Sequence, residues 1–159
     1  MSFTDPEQQA IFDEIAANWK DGEVIAILND LQQRYGAKVA EVIDLVVSVN
    51  TRSGWAKIGQ QQASRTIEDF IRLLWDQLPA LGFEFTSTTT ADGVQMHCTR
   101  CPHVALGEAL NGKTWLYHLV CGGDPHMVAG FNPDMGFRRT KTLMQGDDCC
   151  DHYYFMKTA

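Results

Sequence analysis

The stretch FEFTSTTTADGVQMHCTR, Phe83 to Arg100, decides the fold. Upstream of it, apolar residues recur every three or four positions, the period of an amphipathic helix. Within it the pattern changes. Phe83 to Thr90 is rich in aromatic and threonine residues, Ala91-Asp92-Gly93 reads as a turn, and Val94 to Arg100 returns as a second extended run. That is a β-hairpin signature.

Working outward toward the N-terminus, Thr4-Asp5-Pro6-Glu7 fits a capping box with Thr4 as N-cap and Glu7 reaching back. It opens a helix to about Lys20, with Ile11, Ile15 and Trp19 forming its apolar stripe. A second helix is predicted over Glu23 to Tyr35 with Gly36 as C-cap, and a third from about Ala37 to Val49 and beyond. A fourth is expected from Ser64 to Leu81, stopped by Gly82.

Toward the C-terminus, Pro102 suits the first turn of a short helix, and Lys113 to Val120 forms another. Gly122-Gly123 interrupts the chain, and Asp124-Pro125 starts a further helical turn to Ala129. Phe137 to Met144 and Cys150 to Lys157 read as a second strand pair, joined by a turn at Gln145-Gly146-Asp147-Asp148. The order predicts an α+β fold, a helical layer over a four-stranded antiparallel sheet made of two hairpins separated by short helices. A single domain is the expectation, with a mostly helical part to residue 82 and an α+β part after it.

Composition narrows the function. The 159 residues are 45% apolar and 21% charged, the balance of a globular chain, and carry a net charge of −7. An acidic chain with no basic stripe lacks the footprint for nucleic acid. No run approaches about 18 consecutive apolar residues, so no membrane span is expected. The first residues, MSFTDPEQQ, are unlike a signal peptide, which points to a cytoplasmic protein.

All five cysteines (98, 101, 121, 149 and 150) fall after residue 97. In a reducing compartment an odd set reads as thiols or ligands rather than disulfides. Cys101 precedes Pro102 and so occupies an N-cap, where helix amides favour a thiolate; Cys121 ends a helix and Cys150 starts a strand. Three readings stand side by side. A cysteine is a nucleophile assisted by His103, His118, Asp124 or Asp151. Alternatively Cys98, Cys101, Cys121, Cys150 and His152 hold zinc or iron, Cys98 and Cys101 forming a CxxC pair. Or the cysteines are small buried hydrophobes. Arg139 and Lys141, alternating along the third strand, suit a carboxylate or a solvated face.

Taken in order, Cys101-Pro102, Cys121 with Asp124, Gly130-Phe131-Asn132-Pro133, Phe137-x-Arg139-Thr140 and Gly146-Asp147-Asp148-x-Cys150-Asp151 resemble the L-2-amino-thiazoline-4-carboxylic acid hydrolase-like family over about residues 98 to 157. The sequence departs from that pattern at His152, where an aromatic is usual, and by the additional Cys98 and Cys149. The resemblance implies ring opening of the cyclic amidine 2-amino-thiazoline-4-carboxylate to N-carbamoyl-cysteine. It implies catalytic roles for Cys101, Cys121, Cys150 and Asp151, with Asp124 beside them. Thiolate attack by Cys101 or Cys150 on the amidine carbon is the expected chemistry, with Arg139 anchoring the carboxylate and His103 and Asp148 as further substrate contacts. Activated water on a cysteine-bound metal competes with it. No cofactor is expected on the thiolate route. The alternative function is a non-catalytic small-molecule or metal sensor on the same cysteines. The helical half leaves a homodimer open.

Overall fold

The computed structural model describes residues 1–19 and 23–158, and its first helix is capped by a different residue from the one expected. Helix α1 runs Pro6–Asn18, and the side chain of Asp5, not Thr4, accepts the Glu7 N–H at 2.8 Å. Pro6 at the first helical position has no N–H to offer, so the cap moves to the residue just before it. Lys20, the expected end, lies outside the described residues. Helix α2 is Val24–Tyr35, closed by Gly36 at φ 60°, and α3 runs Lys38–Gln60, well past Val49. The expected fourth helix divides. Helix α4 covers only Ile67–Leu74, opened by a Thr66/Asp69 capping box, and a separate 3-10 turn covers Leu78–Leu81 before Gly82. Pro79 explains the break, because it lacks the N–H that a continuing helix needs.

Strands β1 (Glu84–Thr89) and β2 (Gly93–Arg100) form the predicted hairpin. Helices α5 (Pro102–Ala109), α6 (Lys113–Leu119) and α7 (Asp124–Phe131) follow, with a 3-10 turn at Cys121–Gly123 between the last two. Strand β3 is Met135–Arg138 and β4 is Cys150–Met156. The expected strand to Met144 stops early because carboxylates take its N–H groups. Asp151 accepts from Thr140 N at 2.8 Å and Lys141 N at 2.6 Å, and Asp147 accepts from Thr142 N at 2.7 Å.

The antiparallel sheet has the order β1-β2-β4-β3, so the two hairpins meet along β2 and β4, with Cys98 opposite Cys150 and Met96 opposite His152. Side chains alternate across a strand, so Cys150, His152 and Tyr154 all face the buried side while Asp151, Tyr153 and Phe155 face the other. That inner face packs with Phe70, Trp75, Val128 and Phe131 into one core cluster; a second, built on α1, α2, α3 and α6, includes Ile11, Leu28, Leu31, Val42 and Trp115. Helices α3 and α7 approach until backbone meets backbone. A Cβ on Gly59 would lie 2.5 Å from the Phe131 carbonyl oxygen, and one on Gly130 would lie 2.4 Å from that of Arg52. Among the described residues no helix is long and apolar enough to cross a membrane.

Candidate active site

Where the two hairpins and the α6–α7 junction meet, the chain forms a partly open chamber of about 210 Å³. Cys98, Cys101, Cys121 and Cys150 line it together with His103, Asp124, Arg139 and His152. Apolar walls come from Trp75, Leu78, Phe83, Met127 and Tyr154. Cys121 and Arg139 also line a larger, polar outer cleft of about 630 Å³, so they stand between the chamber and the surface.

The electrostatic centre is Asp124, at the start of α7. Its Oδ2 is hydrogen-bonded by Arg139 Nη1 and sits 3.3 Å from His152 Nε2. Oδ1 has no protein hydrogen-bond donor among the described residues. Arg139 Nη2 also donates to the Cys121 carbonyl at 3.2 Å, and its side chain is 10% exposed. Burial works against its charge, but Asp124 and its other neighbours outweigh this, and the guanidinium is held more firmly protonated than in water. A buried pair of this kind is costly to form unless its remaining hydrogen bonds are satisfied.

The thiols differ from expectation. Burial, reinforced by the nearby Cys150 and Cys101 sulfurs, pushes Cys98 up to about 12, and its Sγ donates to the Arg100 carbonyl at 3.2 Å. Burial and the Asp124 carboxylate push Cys121 up to about 12 as well. Cys101 does occupy the N-cap of α5, yet burial raises its thiol too, and the amide dipoles of the first turn offset that only in part. The expected low-pKa thiolate is therefore not the resting state: loss of water outweighs the helix terminus. Cys150 Sγ accepts the Leu143 N–H at 3.3 Å and lies 3.8 Å from Thr142 Oγ1.

Four of the predicted residues lie outside the chamber. Asp151 is on the opposite face of β4 from Cys150, where it clamps Thr140 and Lys141 and so fixes the segment that carries Arg139. Asp148 is exposed and pairs with Lys141 at 2.9 Å. Lys141 does not share a strand face with Arg139, because β3 has already ended. His118 bonds Asp44 at 2.7 Å in the outer cleft rather than a cysteine. Cys149 is buried but lines neither cavity. Among the described residues no three His, Cys, Asp or Glu side chains are arranged to hold a metal ion. The set Cys98, Cys101, Cys121, Cys150 and His152 does not fit zinc or iron as it stands.

The signal for His152 and Tyr154 as chamber residues was present in the alternation of β4, which puts them on the face of Cys150. Trp75 carried no such signal. It reaches the chamber from the end of α4, where its Nε1 donates to the Tyr154 hydroxyl at 3.1 Å.

Fold and chamber define a small α+β protein with a thiol-lined, acid-and-arginine pocket. The sequence model of the L-2-amino-thiazoline-4-carboxylic acid hydrolase family matches residues 16–154, and the chain belongs to that family. The match extends through the helical half, further upstream than the motifs alone reach. No curated protein and no solved structure matches the chain.

Proposed function

We propose that the protein hydrolyses a small cyclic amidine bearing a carboxylate, 2-amino-thiazoline-4-carboxylate or a close relative, to the N-carbamoyl amino thiol. The observation that carries this reading is the convergence of Cys101, Asp124 and Arg139 on one chamber of small-molecule size. Such a substrate carries a cationic amidine and an anionic carboxylate. The first suits the open Oδ1 of Asp124 and the second the guanidinium of Arg139, so the substrate replaces part of an ion pair that already exists.

Cys101 is the nucleophile in this reading. It is less buried than Cys98 and Cys150, and its thiol is not pushed as far up as those of Cys98 and Cys121. Its sulfur attacks the amidine carbon, the ring C–S bond breaks, and the ring sulfur leaves as the thiol of a ring-opened isothiourea held on Cys101. Water then attacks the same carbon and the Cys101 sulfur leaves, giving the urea of N-carbamoyl-cysteine. Asp124 stabilises the charge on the amidine throughout. The reaction as written consumes water and needs no cofactor.

The test is to incubate the purified protein with 2-amino-thiazoline-4-carboxylate and follow N-carbamoyl-cysteine by its new thiol. Turnover is expected, and Cys101→Ser should lower it by about 10²-fold or more. Binding without product would sink the hydrolase reading and leave a sensor-like pocket. Full activity in Cys101→Ser would move the nucleophile to another thiol or to water.

A further inference from the structure

We propose that His152 is the proton shuttle of this chamber, held by Asp124 and serving both the attacking cysteine and the water that follows; this rests on the hydrolase reading above. His152 is 8% exposed and faces inward from β4 between Cys150 and Tyr154. The edge-to-face ring of Trp75 at 5.1 Å and the ring of Phe137 at 5.8 Å confine the imidazole. One nitrogen, Nε2, is committed to Asp124 Oδ2 at 3.3 Å. The other, Nδ1, is buried and has no hydrogen-bond partner among the described residues.

A buried, unpartnered ring nitrogen lowers stability, and a core histidine placed for packing alone would satisfy it. With Nε2–H donating to the carboxylate, Nδ1 carries the free lone pair, the atom that accepts a proton. A carboxylate on one imidazole nitrogen also stabilises the imidazolium formed when the other takes up a proton. The chamber needs such an acceptor because burial keeps Cys98, Cys101 and Cys121 as thiols. Asp124 is already engaged with Arg139, and the ring of His103 packs edge-on against Phe83 at 5.5 Å.

The proton balance closes over the cycle. In the first step the Cys101 S–H proton passes to His152 as the sulfur–carbon bond forms. The same proton goes to the ring sulfur as the ring carbon–sulfur bond breaks. In the second step His152 takes a proton from water as the carbon–oxygen bond forms, and returns it to the Cys101 sulfur as that sulfur leaves. Nothing is oxidised or reduced; the net change is addition of one water across the ring C–S bond, and the proton that the cationic amidine carried passes to solvent as the neutral urea forms.

The experiment compares wild type, His152→Gln, His152→Ala and Asp124→Asn by two readouts, with thermal melts to show that each variant folds. The first is turnover of 2-amino-thiazoline-4-carboxylate; the second, which needs no substrate, is the rate at which iodoacetamide alkylates Cys101 at neutral pH. His152→Gln is expected to lower kcat by about 10²-fold with KM changed by less than about threefold, and to slow alkylation by about tenfold or more. Added imidazole should restore part of both rates to His152→Ala, which a purely structural role would not allow. Asp124→Asn should slow alkylation in the same direction. Alkylation and turnover within about threefold of wild type in folded His152→Gln, or no response of folded His152→Ala to imidazole, would overturn the shuttle. If wild type fails to turn over the substrate, the hydrolase reading falls, and the alkylation series alone decides whether His152 takes the cysteine proton.

Discussion

Arg139 shows how much of this site turns on single side chains. Its guanidinium is shared between the Asp124 carboxylate and the Cys121 carbonyl, and it stands at the boundary of chamber and cleft. Arg139→Gln leaves Asp124 as a buried carboxylate without its strongest partner, and should destabilise the fold by about 3 kcal/mol. Adding Asp124→Asn to that variant removes the stranded charge and should recover much of the stability in urea unfolding, but not turnover. Equal loss of stability in the single and double variants would show that the pair is not energetically coupled. Legibility at this scale was uneven. Cys101, Cys121, Asp124 and Arg139 were all picked out in the sequence and all line the chamber. Asp151, only one residue from Cys150, does not, because a strand turns successive side chains to opposite faces.

At the scale of elements, the position of Asp124 depends on how closely α7 lies against α3. Gly59 and Gly130 form reciprocal contacts in which each glycine meets the other helix's backbone carbonyl. Gly130→Ala inserts a methyl where 2.4 Å separates the Cβ position from the Arg52 oxygen, and backbone cannot rotate away as a side chain would. The expected result is a loss of about 1 to 3 kcal/mol in urea unfolding, together with reduced activity as the start of α7 is displaced. Ala at exposed Gly54 of α3, where nothing lies within 4 Å of the Cβ position, is the control and should be neutral or stabilising. The Gly-Phe-Asn-Pro motif thereby acquires a structural role. Gly130 sets the approach, Phe131 fills the core, and Asn132 Nδ2 donates to the Arg65 carbonyl at 2.7 Å, tying α7 to the loop before α4.

For the whole molecule, the buried thiols make stability depend on alkaline pH. Cys98 is 2% exposed and its thiol is pushed up to about 12, against an ordinary value of 9.0. Between those two values the unfolded chain loses the proton and the folded chain keeps it. The unfolded state then binds fewer protons, and stability falls as pH rises. By pH 10 the loss is on the order of 1 kcal/mol for this thiol. Cys121, pushed up to about the same value, acts in the same sense. The urea midpoint should therefore drop between pH 8 and pH 10, and Cys98→Ala should flatten that slope while lowering stability at neutral pH. A midpoint slope unchanged by Cys98→Ala would show that the thiol ionises equally in both states.

The sequence by itself determined the change from helical to strand period at Phe83, the two hairpins, the caps at Gly36 and Cys101, and the concentration of cysteines beside Asp124 and Arg139. These are local matters, set by periodicity, by glycine and proline geometry, and by chain spacing. The tertiary structure decided the rest. It joined β2 to β4, which sets Cys98 opposite Cys150, and it brought Trp75 to the chamber across 79 positions of sequence to meet Tyr154. It ended β3 by giving the N–H groups of residues 140 to 142 to carboxylates. It also reversed the expected character of the thiols. Whether a cysteine at a helix start is a thiolate depends on how much water the surrounding elements remove, and desolvation is a property of the packed molecule that no local stretch of sequence carries.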